Sequence, residues 1–379
     1  MEFQPYPFEK LQALIQDIPQ KEGRISLTIG EPQFPTPKCI CDALKQNVES
    51  LNKYPKTAGE DFLKTAMLGF IQRRFNVELQ PNELIPTFGT REVLFNFPQF
   101  YLFDKANPTL AHPNPFYQIY EGAAIAARAE SIYMNLDSTN AFKPKLTKEQ
   151  MQECDLVILN SPNNPTGATL SLEELKYWVE CALEFGFLLL NDECYSEIYS
   201  DSKPHSILEA SVAVGNTRFK NILALNSISK RSSAPGLRSG FIAGDSTILK
   251  PYLQYRTYIG CASPLPLQKA ASVAWSEDTH TEHSRAQYAK NLQLAAEILR
   301  EKIPNLRIPQ DTFYVWLPVT NDLEWTKTLL QNENILVLPG SFLSREKNGE
   351  NPGNNFVRLA LVYEEPIIQD ALLRLQKWL

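Results

Sequence analysis

Three short uninterrupted apolar runs mark the middle of the chain: Leu156 to Leu159, Phe187 to Leu190 and Ile222 to Leu225. Each has the length of a buried strand. The segment after the first run, Asn160 to Gly167, is too rich in Pro, Asn and Gly to be helix or strand, so a loop carries Asn164. Ser171-Leu-Glu-Glu174 then reads as a capping box, and Leu172, Leu175, Trp178, Val179, Ala182 and Leu183 give the helix behind it one apolar face. Strand, loop and helix make half a crossover unit. A long helical stretch over 281–303 opens the C-terminal portion, and the run Phe356 to Val362 predicts a strand preceded by a polar loop at 349–355. No repeat, low-complexity tract or linker divides the chain.

Chemistry-bearing residues fall at the ends of these runs, where ligand sites of open α/β sheets collect. Lys230 follows the third run inside Asn226-Ser-Ile-Ser-Lys-Arg-Ser-Ser-Ala-Pro-Gly-Leu-Arg-Ser-Gly240. An amine, several hydroxyls and Arg238 in one segment suit an aldehyde cofactor bearing a phosphate, since lysine can form a Schiff base and arginine matches a phosphate's fork geometry. A solvated basic loop has the same composition. Asp192 ends the second run, and a carboxylate buried there would be costly without a partner such as a pyridinium nitrogen. Gly89-Thr90 ahead of Glu92 reads as a helix start whose free amides could receive a phosphate, although such starts are common without one.

Together these residues resemble the class I/II, fold-type I aminotransferases that depend on pyridoxal 5'-phosphate (PLP). The likeness spans nearly the whole chain and rests on Gly30-Glu-Pro32, Tyr54 with Gly59, Gly89-Thr90, Asn163-Asn-Pro-Thr-Gly167, Asp192 with Tyr195, Ser227-Ile-Ser-Lys230, Arg238 and Phe356-Val-Arg-Leu359. It implies an α/β fold with a large, doubly wound, mostly parallel sheet domain over residues 45–265. A smaller α/β domain is formed by 1–44 and 266–379. The same resemblance assigns Lys230 as the Schiff-base lysine and proton shuttle, Asp192 as partner of the pyridine nitrogen, and Tyr195 and Asn164 as ligands of the phenolic oxygen. Tyr117 would stack on the ring, with Phe116 and Tyr120 as aromatic rivals. Gly89, Thr90, Ser227 and Arg238 would hold the phosphate, together with Tyr54 from the second subunit of a homodimer. Arg358 would bind the substrate α-carboxylate, with the Gly30 backbone beside it; the alternative is a strand arginine on a solvated face.

Four further segments, 114–124, 230–240, 255–262 and 351–358, resemble bacterial succinyldiaminopimelate aminotransferases. That resemblance implies exchange of the amino group of N-succinyl-LL-diaminopimelate with 2-oxoglutarate in lysine biosynthesis. Both substrates are acidic, so a second cation is required, for which Arg91, Arg231 and Arg256 are candidates. Aspartate or acetylornithine-type transamination, and carbon-sulfur lysis on the same fold, are the rival activities.

Composition narrows the setting. The chain has 379 residues, 43% of them hydrophobic, enough for a sizeable core. A net charge of −6 and a pI near 5.5 argue against a nucleic-acid partner. The N-terminal Met-Glu-Phe-Gln-Pro-Tyr-Pro-Phe8 lacks a signal peptide's basic and apolar regions, and no apolar run reaches membrane-spanning length, so a cytoplasmic location is expected. The six cysteines are scattered and read as reduced thiols. No metal is expected: Cys39 and Cys41 would point apart on a helix, and His280 and His283 sit in acidic surroundings that read as solvated surface.

Overall fold

A computed structural model describes residues 2–379. Its main sheet has seven strands: β1 (Leu84–Thr87), β2 (Thr109–Asn114), β3 (Glu130–Asn135), β4 (Leu156–Asn160), β5 (Leu188–Asp192), β6 (Ile222–Ser227) and β7 (Gly240–Gly244). Their spatial order is β1-β7-β6-β5-β4-β2-β3, and only β7 runs against its neighbours. The three apolar runs are thus adjacent central strands.

Their lack of alternation follows from burial on both faces. Val157, Leu159, Leu189 and Ala224 join one core with the helices Asp61–Phe75, Leu172–Phe185 and Leu265–Ser276, whereas Ile158, Leu188, Leu190 and Leu225 join another beside Thr90–Tyr101. Full burial of each such side chain stabilises by about 1.5–3 kcal/mol, so register is strongly fixed. The capping box at the start of Leu172–Phe185 forms as expected. Ser171 Oγ accepts from the Glu174 amide at 3.3 Å, and the Glu174 carboxylate accepts from the Ser171 amide at 2.8 Å. Gly186 ends that helix at φ +82°, a backbone shape that glycine adopts without strain.

A separate core gathers Leu27 with Leu292, Val315, Leu317, Ile335, Val357, Leu359 and Leu372. It backs a three-stranded antiparallel sheet of β8 (Tyr314–Pro318), β9 (Leu338–Pro339) and β10 (Phe356–Ala360), ordered β9-β10-β8. Both chain ends therefore contribute to this second unit. Packing of the large unit runs past residues 45 and 265, because Ile40, Ala270, Ala271, Ala274 and Trp275 share its core. The registers Asn160↔Asp192 and Asp192↔Leu225 bring the carboxyl ends of β4, β5 and β6 to one edge. The site lies beside that edge.

Candidate active site

Ser227 closes β6 and caps the one-turn helix Ile228–Arg231, its hydroxyl accepting from the Ser229 amide at 3.1 Å. This turn delivers Lys230 to the cavity. The Lys230 ammonium donates to the Gly30 carbonyl, a neutral partner. Burial pushes its pKa below the usual lysine range, and Arg358 acts in the same direction while Tyr314, Cys194 and Glu31 oppose. A depressed lysine pKa enlarges the neutral, nucleophilic fraction at a given pH.

Asp192 ends β5 only 4% exposed, and burial raises its pKa. Opposing contacts come from Cys194, whose amide lies at 3.3 Å, and from the Tyr120 hydroxyl, which donates at 2.9 Å. Sequence reasoning weighed Tyr120 only as a rival to Tyr117 for ring stacking. The structure gives the two tyrosines different work: both line the cavity, but the Tyr117 hydroxyl holds Arg91 whereas the fully buried Tyr120 donates to the acid.

At the other end of the cavity Gly89 precedes the helix Thr90–Tyr101 with φ +76°. A methyl group there would stand 2.3 Å from Nη2 of Arg238, so glycine is needed for this approach. The Arg238 guanidinium donates to two carbonyls, those of Pro235 at 2.8 Å and Phe88 at 3.3 Å. With Thr90 and Ser227 it forms a pocket wall of donors and free helix amides. Tyr54 is fully exposed and lies outside its own chain's cavity lining.

Arg358 sits on β10, 5% exposed, which excludes the solvated-face alternative. Its Nη1 donates to Asn164 Oδ1 at 2.8 Å and its Nη2 to the Thr28 carbonyl, while the guanidinium carbon lies 4.4 Å from the Tyr314 ring centre. Its Nε has no partner among the described residues. Asn164 is fixed in turn by Asn160, whose side-chain oxygen accepts from the Asn164 amide at 2.8 Å. The Tyr195 hydroxyl pairs with that of Tyr314 at 3.1 Å. Tyr314 also limits position 30, since a Cβ on Gly30 would fall 1.8 Å from its hydroxyl. Sequence reading missed Tyr314 because its run is indistinguishable from any buried strand.

Of the three arginines considered for a second cation, two are structural. Arg231 is 2% exposed and held by Asp278 and the Ala274 carbonyl. Arg256 is completely buried against Glu92. Arg91 alone of the three lines the cavity, gripped by the hydroxyls of Tyr117 at 2.8 Å and Tyr6 at 2.6 Å. Another expectation also changes: the His280 side chain is 7% exposed, not solvated, because it packs toward Ser232.

One cavity of about 1000 Å³ is lined by Gly30, Thr90, Tyr117, Asn164, Asp192, Tyr195, Ser227, Lys230, Arg238 and Arg358. A desolvated amine, a buried acid and a glycine-arginine cradle for an anion fit PLP group by group. These features define a fold-type I, PLP-dependent enzyme. The aminotransferase class I and II profile matches residues 22–363, and the chain belongs to that family, whose members use PLP. The crystal structure of aminotransferase AspB from Helicobacter pylori is 54% identical, with a TM-score of 0.96 over 100% of this chain and 99% of that one. A 4-dedimethylamino-4-oxo-anhydrotetracycline transaminase from Streptomyces rimosus is 30% identical, covering 97% of this chain and 96% of its own length. An LL-diaminopimelate aminotransferase from Syntrophobacter fumaroxidans is 29% identical over 98% and 96%. No described helix is long and apolar enough to cross a membrane.

Proposed function

We propose that this aminotransferase acts on N-succinyl-LL-diaminopimelate, with 2-oxoglutarate and glutamate as the other substrate pair, in the diaminopimelate route to lysine. The observation that carries the reading is a pair of cavity guanidiniums, Arg358 and Arg91, each held by neutral groups and free to receive a carboxylate. Relatives named LL-diaminopimelate aminotransferases support the same carbon skeleton.

When bound, PLP supplies an aldehyde that takes up an amino group and a ring that spreads the charge left on the substrate carbon. Lys230 would hold that aldehyde through its amine and, once free, would serve as the base and acid that moves the proton at the substrate α-carbon. Asp192, ionised, would hold the ring nitrogen. Tyr120 holds the acid's orientation. Thr90, Ser227, Arg238 and the amides after Gly89 would hold the phosphate, and Tyr54, exposed on its own chain, would reach the partner's site in a homodimer. Tyr195 and Asn164 would hold the ring oxygen. Arg358 takes the α-carboxylate in a bidentate pair, steered by Asn164, and Arg91 takes the distal carboxylate between its two tyrosines. Reaction in the cytoplasm follows from this reading.

The test is a half-reaction: the PLP-loaded protein is mixed in turn with N-succinyl-LL-diaminopimelate, aspartate, acetylornithine and cystathionine while the cofactor spectrum and pyruvate are followed. Fastest conversion to the amine form of the cofactor with the succinylated substrate, reversed by 2-oxoglutarate, supports the proposal. Faster conversion with aspartate or acetylornithine moves the enzyme to another substrate, and pyruvate from cystathionine makes it a lyase.

A further inference from the structure

Away from the catalytic cavity, three ligating side chains converge from two distant stretches of chain. Cys39 lies in the first turn of the helix Lys38–Gln46, whereas Glu277 and His280 flank the start of the helix Thr279–Leu299. The Cys39 sulfur, a Glu277 carboxylate oxygen and a His280 ring nitrogen all lie within 4.8 Å of one another. We propose that these residues form a binding site for Zn²⁺, with three protein ligands and water completing the coordination.

The donor set selects the ion. Sulfur and imidazole nitrogen suit zinc, while calcium and magnesium take oxygen. A thiolate and a carboxylate together neutralise a dication. The supporting shell is already in place, because His280 Nε2 lies 2.8 Å from Ser232 Oγ and so leaves Nδ1 as the ligand. Glu277 is held by the Thr279 amide at 2.5 Å and by His280 Nδ1 at 2.7 Å. Without metal, the Nδ1 proton bridges to Glu277. On binding, the ion takes that position, the imidazole proton passes to Nε2 and is donated to Ser232, and the Cys39 thiol releases its proton to solvent.

Neighbouring charges do not compete for the role. Asp278 is committed to Arg73 and Arg231, and Lys38 to Asp42. Cys39 is exposed, which gives the ion a route in. Ser232 hydrogen-bonds through its amide to Ile228, at the base of the turn that carries Lys230. An ion at this site therefore ties the helix Lys38–Gln46 to the element that presents the catalytic lysine.

Equilibrium dialysis of the PLP-loaded protein against Zn²⁺, followed by metal analysis, tests the site. One ion per chain is expected in the wild type and in His283→Gln, with affinity weakened about tenfold or more in Cys39→Ser and His280→Gln. Zinc should also raise the unfolding temperature of the wild type but not of Cys39→Ser, an exposed substitution that leaves the core intact. Absence of stoichiometric zinc, or equal binding by Cys39→Ser, overturns the proposal. The outcome is independent of which amino acid the enzyme transaminates.

Discussion

Replacing Tyr120 with Phe keeps the ring and removes one hydroxyl, the donor that meets Asp192 at 2.9 Å inside the core. A hydrogen bond to an ionised group contributes about 1.5–3 kcal/mol, and Tyr120 is fully buried. The cofactor-free variant should therefore lose roughly that amount of stability where Asp192 is ionised. The pH dependence separates this cause from lost packing. Burial raises the folded pKa of Asp192 above its unfolded value, so the folded chain keeps that proton to higher pH and this group's contribution declines as pH rises through the interval. Tyr120 opposes that shift by favouring the charged form. Its removal should cost most above the interval and least below it. Urea unfolding of wild type and Tyr120→Phe at about pH 8 and about pH 3.5, just below the ordinary aspartate value of 3.8, reads the difference through the midpoints. An equal loss at both pH values would refute the assigned hydrogen bond. In the loaded enzyme the same variant should bind PLP more weakly while keeping the wild-type fold.

The remaining expectations concern the cavity. Lys230→Ala should remove the near-ultraviolet and visible absorbance of covalently held PLP while circular dichroism stays unchanged; a retained band would displace Lys230 from its role. Gly89→Ala places a methyl against Arg238 at φ +76° and should weaken PLP binding about tenfold or more, given a backbone penalty of roughly 1–2 kcal/mol before the arginine moves. Arg91→Gln should lower kcat/KM for dicarboxylic substrates about tenfold or more, the equivalent of one lost charged hydrogen bond, and leave monocarboxylic amino acids unaffected. Comparable losses for both classes would move the distal site elsewhere.

The legibility of these features differs for physical reasons. β4, β5 and β6 were readable because a strand covered on both faces must be apolar at every position, and few other local structures impose that pattern. Residues at their ends inherited their positions from the same logic, so Asn164, Asp192 and Lys230 could be placed along the chain and expected at one edge. What escaped were contacts between segments far apart in sequence. Tyr314 belongs to a strand more than a hundred residues beyond Tyr195, yet it pairs with that residue, lies against Arg358 and forbids a side chain at position 30. Nothing in a Tyr-Val-Trp-Leu run distinguishes a site tyrosine from a core one. Arginine offered the same difficulty in reverse, since Arg91, Arg231 and Arg256 are equivalent as letters. Glu92, Asp278 and the tyrosines around Arg91 decide between them, because a guanidinium already neutralised by a buried carboxylate has little left to offer a ligand, whereas one held by hydroxyls keeps its charge available. Cofactor chemistry is thus written largely in local motifs, while substrate choice depends on which cations the fold leaves unpaired.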